Sequence, residues 1–451
     1  MSRTRKRTKP RPRSSAVELS LDDAIQLGIG LQQKGDIPGA AEIYRSILAG
    51  HPDDVNALHF LGIAEHQLGR SNEALTLIER AITLAPQHPD LHNNHGNILK
   101  RLGRAEEAEA AYTEVLKLRP DDANALNNLG TIFRDKGQLP EALDNFKKVL
   151  SLQPDHYEAH LNLGYVLRSM NRLDEAIEIH QKALRLRPHQ AGAYRELGAV
   201  YYAMGRIEES ASIYRLWLER DPEQPVALHM LAACTGQGVP GRASDDFVRQ
   251  SFDSFASHFD SSLAKLKYRA PELVAQAVAR VIAVPDGSLT VLDIGCGTGL
   301  CASHLRPYAK HLVGVDLSEK MLEQATKRNL YDKLVPAELT EYLEHSKAAY
   351  ELIVSADTLV YFGPLEAVAA AASASLRPGG HLIFTVESSA EHEVPEGYTI
   401  HPHGRYSHSE GYLRRVLGDA MLQVTDLQPV ELRMEAMKPV PGHLVTAKKL
   451  L

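Results

Sequence analysis

Between residues 291 and 300 the chain reads Val-Leu-Asp-Ile-Gly-Cys-Gly-Thr-Gly-Leu, an apolar run closing on three glycines at alternate positions. Gly295, Gly297 and Gly299 strip side chains from a strand-to-helix turn and let a ligand approach bare backbone. The spacing departs from the G-x-G-x-x-G of dinucleotide sites, because Leu300 stands where the last glycine belongs. Asp293, just ahead of the loop, would repel a pyrophosphate and attract an ammonium group. Asp316 follows in Val313-Gly-Val-Asp-Leu-Ser318, where a carboxylate at a strand end accepts hydrogen bonds from both hydroxyls of a ribose. Together these residues suit a nucleoside that carries a cationic amino acid.

The elements that must hold them are legible from the apolar pattern. Short runs at Leu289–Ile294, Leu312–Val315, Leu334–Val335, Leu352–Val354 and Leu382–Val386 alternate with longer helical stretches, which predicts a parallel, doubly wound sheet. Two further runs, Met421–Val424 and His443–Ala447, are separated by a segment with Pro429, Pro439 and Pro441 and no room for a crossover helix, so they are expected to pair antiparallel. Phe247, Phe252, Phe255 and Phe259 recur at helical spacing and predict one covering helix over 245–260. Asp357 and Tyr361 follow the fourth run, at the carboxyl edge where ligands of such sheets meet. His401, His403 and His408 follow the fifth, preceded by Glu391, Glu393 and Glu396. Any of these could serve as a base or belong to a solvated loop, and the histidine spacing fits no metal-ligand pattern.

With Ser355-Ala-Asp-Thr-Leu-Val-Tyr-Phe362 and Leu376-Arg-Pro-Gly-Gly380, the glycine loop and its two aspartates resemble the class I S-adenosylmethionine-dependent methyltransferases over residues 245–451. Phe252–Asp260 and Tyr268–Pro271 look like bacterial methyltransferases that carry repeats. The resemblance implies a Rossmann-like α/β domain with a seven-stranded, mostly parallel sheet. It implies S-adenosyl-L-methionine as cofactor, with Asp293, Gly295, Cys296, Gly297 and Gly299 at the methionine end, and Asp316 on the ribose. Leu317 and Met321 would pack the adenine, and Glu338 and the Leu339 backbone nitrogen would lie near its amino group. On the acceptor side it points to Asp357, Tyr361 and His408. Plainer readings stand beside these: Asp357 as a helix cap, Glu338 as a surface acid, Cys296 and Cys301 as buried filler.

The first half of the chain repeats itself. Gly28, Gly62, Gly96, Gly130, Gly164 and Gly198 are each 34 residues apart, and the same step carries Pro52 to Pro222 and Gly35 to Gly205, with Asn171 once replacing glycine. Glycine or asparagine ends one helix of each unit and proline stops the next, so each unit is a helix-turn-helix. The pattern resembles the tetratricopeptide repeat, six units over 21–224, which implies a superhelix with a groove for a protein or peptide. Asn94, Asn128 and Asn162 fall at one groove position of three successive units. They could contact a peptide backbone, as in the repeats of the protein O-linked N-acetylglucosamine transferases, or simply fill the groove.

The organisation expected is thus a basic leader over 1–20, repeats over 21–224, a capping helix and linker over 225–244, and the catalytic domain over 245–451. A formal charge of −7 hides seven arginines and lysines in residues 1–13, without which the body carries −14, a balance that argues against nucleic acid as a partner. Three cysteines exclude a disulfide scaffold, and no apolar run reaches the length of a membrane span. A cytoplasmic methyltransferase follows, acting on a protein that the repeats recruit or on a small molecule. The alternative of another class is an adaptor that binds the nucleoside without catalysis.

Overall fold

The computed structural model describes residues 19–435 and 438–450, so most of the basic leader lies outside the described residues. The chain divides into two compact units, Met1–Met170 and Asn171–Leu451. The division falls inside the fifth repeat and not at the join expected near 235–244.

In the first unit, paired helices run from Leu21–Gln33 and Ile37–Gly50 to Tyr157–Ser169. The 34-residue glycines are steric: a Cβ at Gly96 would lie 2.7 Å from the Tyr112 ring, and one at Gly130 the same distance from Phe146. Ala40, Ala74, Ala108 and Ala142 are fully buried beside them, so each helix pair closes on one large side chain pressed against two small ones.

The second unit opens with the helices Leu173–Leu186, Ala191–Ala203, Ile207–Leu218 and Pro225–Thr235. Asn171, the exception in its series, has φ +59°, the left-handed conformation that asparagine tolerates better than most residues. The expected linker is exposed over 236–239 and tied down beyond it. Gly363 N–H donates to Gly241 O at 2.9 Å, Ala243 N–H donates to Tyr361 O at 2.8 Å, and Tyr406 Oη donates to the Pro240 carbonyl. His229, on the capping helix, meets the Gly404 carbonyl at 2.8 Å, and its ring lies tilted at 33° with its centroid 4.0 Å from that of Phe247. These bonds hold the capping helix and residues 240–243 against the catalytic fold.

A single sheet follows, built from β1 (Leu289–Ile294), β2 (Ala309–Asp316), β3 (Lys333–Pro336), β4 (Tyr350–Ser355), β5 (Leu376–Ser388), β6 (Tyr398–Ile400), β7 (Tyr406–His408), β8 (Leu422–Glu435) and β9 (Lys438–Lys449). Its order is β3-β2-β1-β4-β5-β7-β6, with β9 also on β5 and β8 on β9. Strands β1 to β5 are parallel, and β9 runs antiparallel to β5 and β8. The sheet has nine strands where seven were expected. The extra pair is the short β6–β7 hairpin, whose three-residue strands carry no alternating apolar signature. Pro429, Pro439 and Pro441 do not break the last two strands either. The β5–β9 ladder ends at Gly442, so Pro439 and Pro441 pair only with β8, the outermost strand, which also carries Pro429.

Side chains of β1 alternate between two cores. Val291 packs with Leu273, Val274 and Val278 on one face, and Leu292 and Ile294 pack with Leu359, Val368 and Leu413 on the other. Strand order reverses between β1 and β4, which leaves a crevice at their carboxyl ends. Among the described residues, no helix is long and apolar enough to cross a membrane.

Candidate functional site

The crevice is a cavity of about 280 Å³. Asp293, Gly295, Cys296, Gly297, Asp316, Leu317, Met321, Glu338 and Leu339 all line it, as do Asp357 and Tyr361. Gly299 and His408 do not. Gly299 turns away, and a Cβ there would meet Tyr331 at 2.9 Å, so this glycine makes room for the Tyr331 ring. His408 is fully buried in β7 with Nε2 2.8 Å from the Gly363 carbonyl, and burial lowers its pKa to about 4. It is a neutral packing residue.

At the glycine-loop end, backbone geometry does most of the positioning. Gly295 and Gly297 have φ of +68° and +54°. Gly297 N–H donates to Asp316 Oδ2 at 2.8 Å, and Ser318 N–H donates to Oδ1 at 2.9 Å. Burial raises the Asp316 pKa while these donors oppose the rise. Asp293 is buried, and its Oδ2 accepts a 2.7 Å bond from Tyr331 Oη. Burial pushes its pKa up to about 7; the Tyr331 bond works against that shift and the Asp316 charge adds to it. Tyr331 escaped sequence reasoning because nothing local marks a tyrosine ahead of β3 as a partner of β1. Glu338 reaches the cavity, yet its Oε2 caps the helix Leu339–Glu344 by accepting from Glu341 N–H at 2.8 Å. Burial raises the Cys296 and Cys301 thiols well above their ordinary pKa, so neither is a nucleophile at neutral pH.

The cover is not one helix. It breaks after Asp245–Asp253, turns at Ala256–His258 and resumes as Phe259–Lys265. Phe247 packs beneath the capping helix, and only Phe252, Phe255 and Phe259 face the cavity. Two carboxylates fasten this cover: Ser318 Oγ, at the cap of the helix after β2, donates to Asp253, and Arg328 on that helix and Thr298 Oγ1 in the glycine loop donate to Asp260.

The far end was largely invisible in the sequence. Asp357 takes the left-handed conformation, φ +58°, a costly one for a residue other than glycine, and its N–H donates to Thr385 Oγ1 at 2.9 Å. It caps no helix. Its Oδ2 accepts from Arg433 Nη1 at 2.7 Å, and its Oδ1 is buried without a hydrogen-bond partner among the described residues. Arg433, buried on β8, also binds Glu387 and, at 2.7 Å, Glu435. Arg405, ahead of β7, reaches Glu387 at 2.6 Å and both oxygens of Glu435 at 2.7 Å. Burial opposes ionisation of Glu435, but the two arginines outweigh it and hold the pKa at about 2. Asp357 stays raised, since burial there exceeds the pull of Arg433. His403 stands 3.5 Å from Glu387, and burial, helped by Arg405, lowers it to about 4; His401 meets Ser407 Oγ at 2.7 Å.

In the repeats, the three asparagines are half-buried and engaged with neighbouring units. Asn94 Nδ2 meets His59 Nε2 at 2.7 Å, Asn128 Nδ2 donates to Asn97 Oδ1 at 3.2 Å, and Asn162 Oδ1 accepts from Arg134 at 2.7 Å. These bonds run between repeats, through His59, Asn97 and Arg134.

A doubly wound sheet with a ligand crevice at its switch point, preceded by helix-turn-helix repeats, defines the class of molecule. Comparison with known proteins agrees. Residues 266–425 match the model of a methyltransferase domain, and residues 25–89, 89–155, 133–179 and 164–205 match tetratricopeptide repeat models. The chain therefore joins tetratricopeptide repeats to a methyltransferase domain. It is 43% identical over 84 residues to methyltransferase-like protein 27 of Homo sapiens, covering 18% of this chain and 34% of that protein. Malonyl-[acyl-carrier protein] O-methyltransferase of Erwinia billingiae is 28% identical over 148 residues, 33% of this chain and 56% of that protein. Ribosomal protein L11 methyltransferase of Cupriavidus metallidurans is 36% identical over 112 residues, 24% and 35% of the respective chains. The matches span no more than 56% of these relatives.

Proposed function

We propose that the protein is an S-adenosyl-L-methionine-dependent methyltransferase whose repeats recruit a protein partner and whose catalytic domain methylates it. The observation that carries this reading is the convergence of Asp293, Gly297, Asp316 and Met321 on one cavity at the switch point of the sheet. Two features fit these residues to that cofactor. A Cβ at Gly297 would meet only Phe259, at 3.9 Å, so open space reaches the loop backbone. Asp293 is a buried carboxylate whose donor, Tyr331, is neutral, which leaves its charge for an ammonium group.

The bound cofactor would supply an electrophilic methyl group on a sulfonium whose leaving group is a neutral thioether. The chain's own residues orient and dry the site. Asp293 holds the amino-acid end and Asp316 the ribose, Leu317 and Met321 pack the base, and Phe252, Phe255 and Phe259 exclude water. In-line approach to a positioned methyl is the main demand of the reaction. The relatives' names give acceptors as different as a malonyl group and a ribosomal protein, so they do not select one for this chain.

Calorimetry with S-adenosylmethionine tests the cofactor, and incubation of the protein with methyl-labelled cofactor and cell lysate tests the acceptor. Saturable binding and label in a protein band are the expected results. No binding ends the enzyme reading, and label confined to the small-molecule fraction ends the protein-acceptor reading.

A further inference from the structure

The acceptor end of the cavity has a chemical bias. Of the five carboxylates that line the cavity, Asp357 and Glu435 lie outside the cofactor set, and the three lining arginines are already paired: Arg242 with Asp245, Arg405 with Glu435 and Arg433 with Asp357, all at 2.7 Å. Among the described residues, no lining cation is left to receive a carboxylate or phosphate acceptor. A buried carboxylate oxygen, Asp357 Oδ1, lacks a hydrogen-bond partner among the described residues and belongs to a residue that lines the cavity. Such an oxygen is costly unless a donor reaches it.

Part of the cavity lining is aromatic. Phe252 and Tyr361 stand edge to face at 5.5 Å and 89°, and Phe255 lies 5.5 Å from Phe259 and 5.8 Å from Phe252. Ring faces beside a carboxylate attract organic cations, because the ring quadrupole and the anion act in the same sense. The 2.7 Å bond from Arg433 Nη1 to Oδ2 holds the Asp357 carboxylate just beyond the end of β4.

We infer that the methyl acceptor is an alkylamine, received as its ammonium ion against these rings with one N–H donated to the Asp357 carboxylate, whose side chain is 15% exposed. This rests on the methyltransferase reading above. The ammonium passes a proton to the Asp357 carboxylate, and the freed nitrogen lone pair forms the N–CH₃ bond as the S–CH₃ bond breaks. The electrons of that bond stay on sulfur, and the product leaves as a methylated ammonium while Asp357 returns its proton to solvent. Nothing besides amine and methyl donor is consumed. The amine belongs either to a lysine side chain of a polypeptide or to a free polyamine.

Poly-L-lysine and spermidine, offered separately to the full chain with methyl-labelled S-adenosylmethionine, distinguish these sources; butyrate and catechol serve as oxygen acceptors. Label is expected in one of the amines and in neither oxygen compound. Asp357→Asn should keep cofactor affinity within about twofold and lower transfer about 100-fold, the scale of a positioned base. Phe255→Leu leaves every ion pair in place and should raise KM for the amine about threefold, as expected for loss of one cation–ring contact, so it serves if Asp357→Asn does not fold. Label in butyrate or catechol, no label in either amine while the cofactor binds, or an unchanged rate in Asp357→Asn each overturns the inference and leaves the methyltransferase reading standing. Failure of the wild-type protein to bind cofactor overturns both.

Discussion

At the glycine-loop end of the cavity, Asp293 and Asp316 come from adjacent strands, and Asp316 is held by backbone N–H groups of Gly297 and Ser318. At the opposite end, Asp357, Glu387, Arg405, Arg433 and Glu435 come from β4, β5, the hairpin and β8, and are held by one another. The first end is a local motif whose geometry follows from chain direction and missing side chains. The second is a charge cluster whose members have no reason to be close until the sheet is complete. Removing a side chain from the first should therefore cost ligand affinity, whereas removing one from the second should cost the fold.

Arg433→Met tests the contrast most severely. It leaves Asp357, Glu387 and Glu435 buried with Arg405 alone, and breaking such a cluster from one side typically costs about 3–5 kcal/mol. Denaturant unfolding should register that loss, and a change below about 1 kcal/mol would mean that the cluster relaxes freely. Asp316→Ala is next: it should weaken S-adenosylmethionine binding by about 1.5–3 kcal/mol for each charge-assisted hydrogen bond lost, with the repeats unaffected. Undiminished affinity in calorimetry would contradict the ribose assignment.

Two smaller effects concern Asp293. With its pKa at about 7 in the free protein, this carboxylate is protonated on the acid side and must ionise to hold an ammonium group. Cofactor affinity should accordingly rise as pH approaches about 7 and level off above it, falling at most about tenfold for each unit below. Asp293→Asn should flatten that profile; a profile of unchanged slope would move the titration to another group. Tyr331→Phe removes the hydroxyl that favours the ionised form, so the midpoint should shift to higher pH by a fraction of a unit. A downward shift in the same titration would show that the bond does not act on the carboxylate.

Legibility followed the same division. The residues assigned to the cofactor sit in short segments with readable turn chemistry, and all but Gly299 line the cavity. The parallel strands were readable from apolar runs, while the β6–β7 hairpin was hidden in a histidine-rich stretch with three-residue strands. His408 was misread for that reason: a polar residue in what looks like a loop is in fact a fully buried strand residue, bonded to the Gly363 carbonyl. The cover was misread as one helix because Phe252, Phe255 and Phe259 keep a near-helical spacing across the break at 254–258.

By itself the sequence determined what depends on neighbours along the chain. The 34-residue step, the helix ends at glycine, asparagine and proline, and the bare loop between β1 and its helix all arise from backbone conformations that residue type sets directly. Only the tertiary structure decided how the expected linker and last repeats seat against the catalytic fold, and which charges meet around Asp357. Those outcomes depend on strands 30 to 76 residues apart in sequence arriving at one point, as the Arg405–Glu435 and Asp357–Arg433 bonds do. Charge, burial and an unsatisfied oxygen exist there only after packing has removed the water.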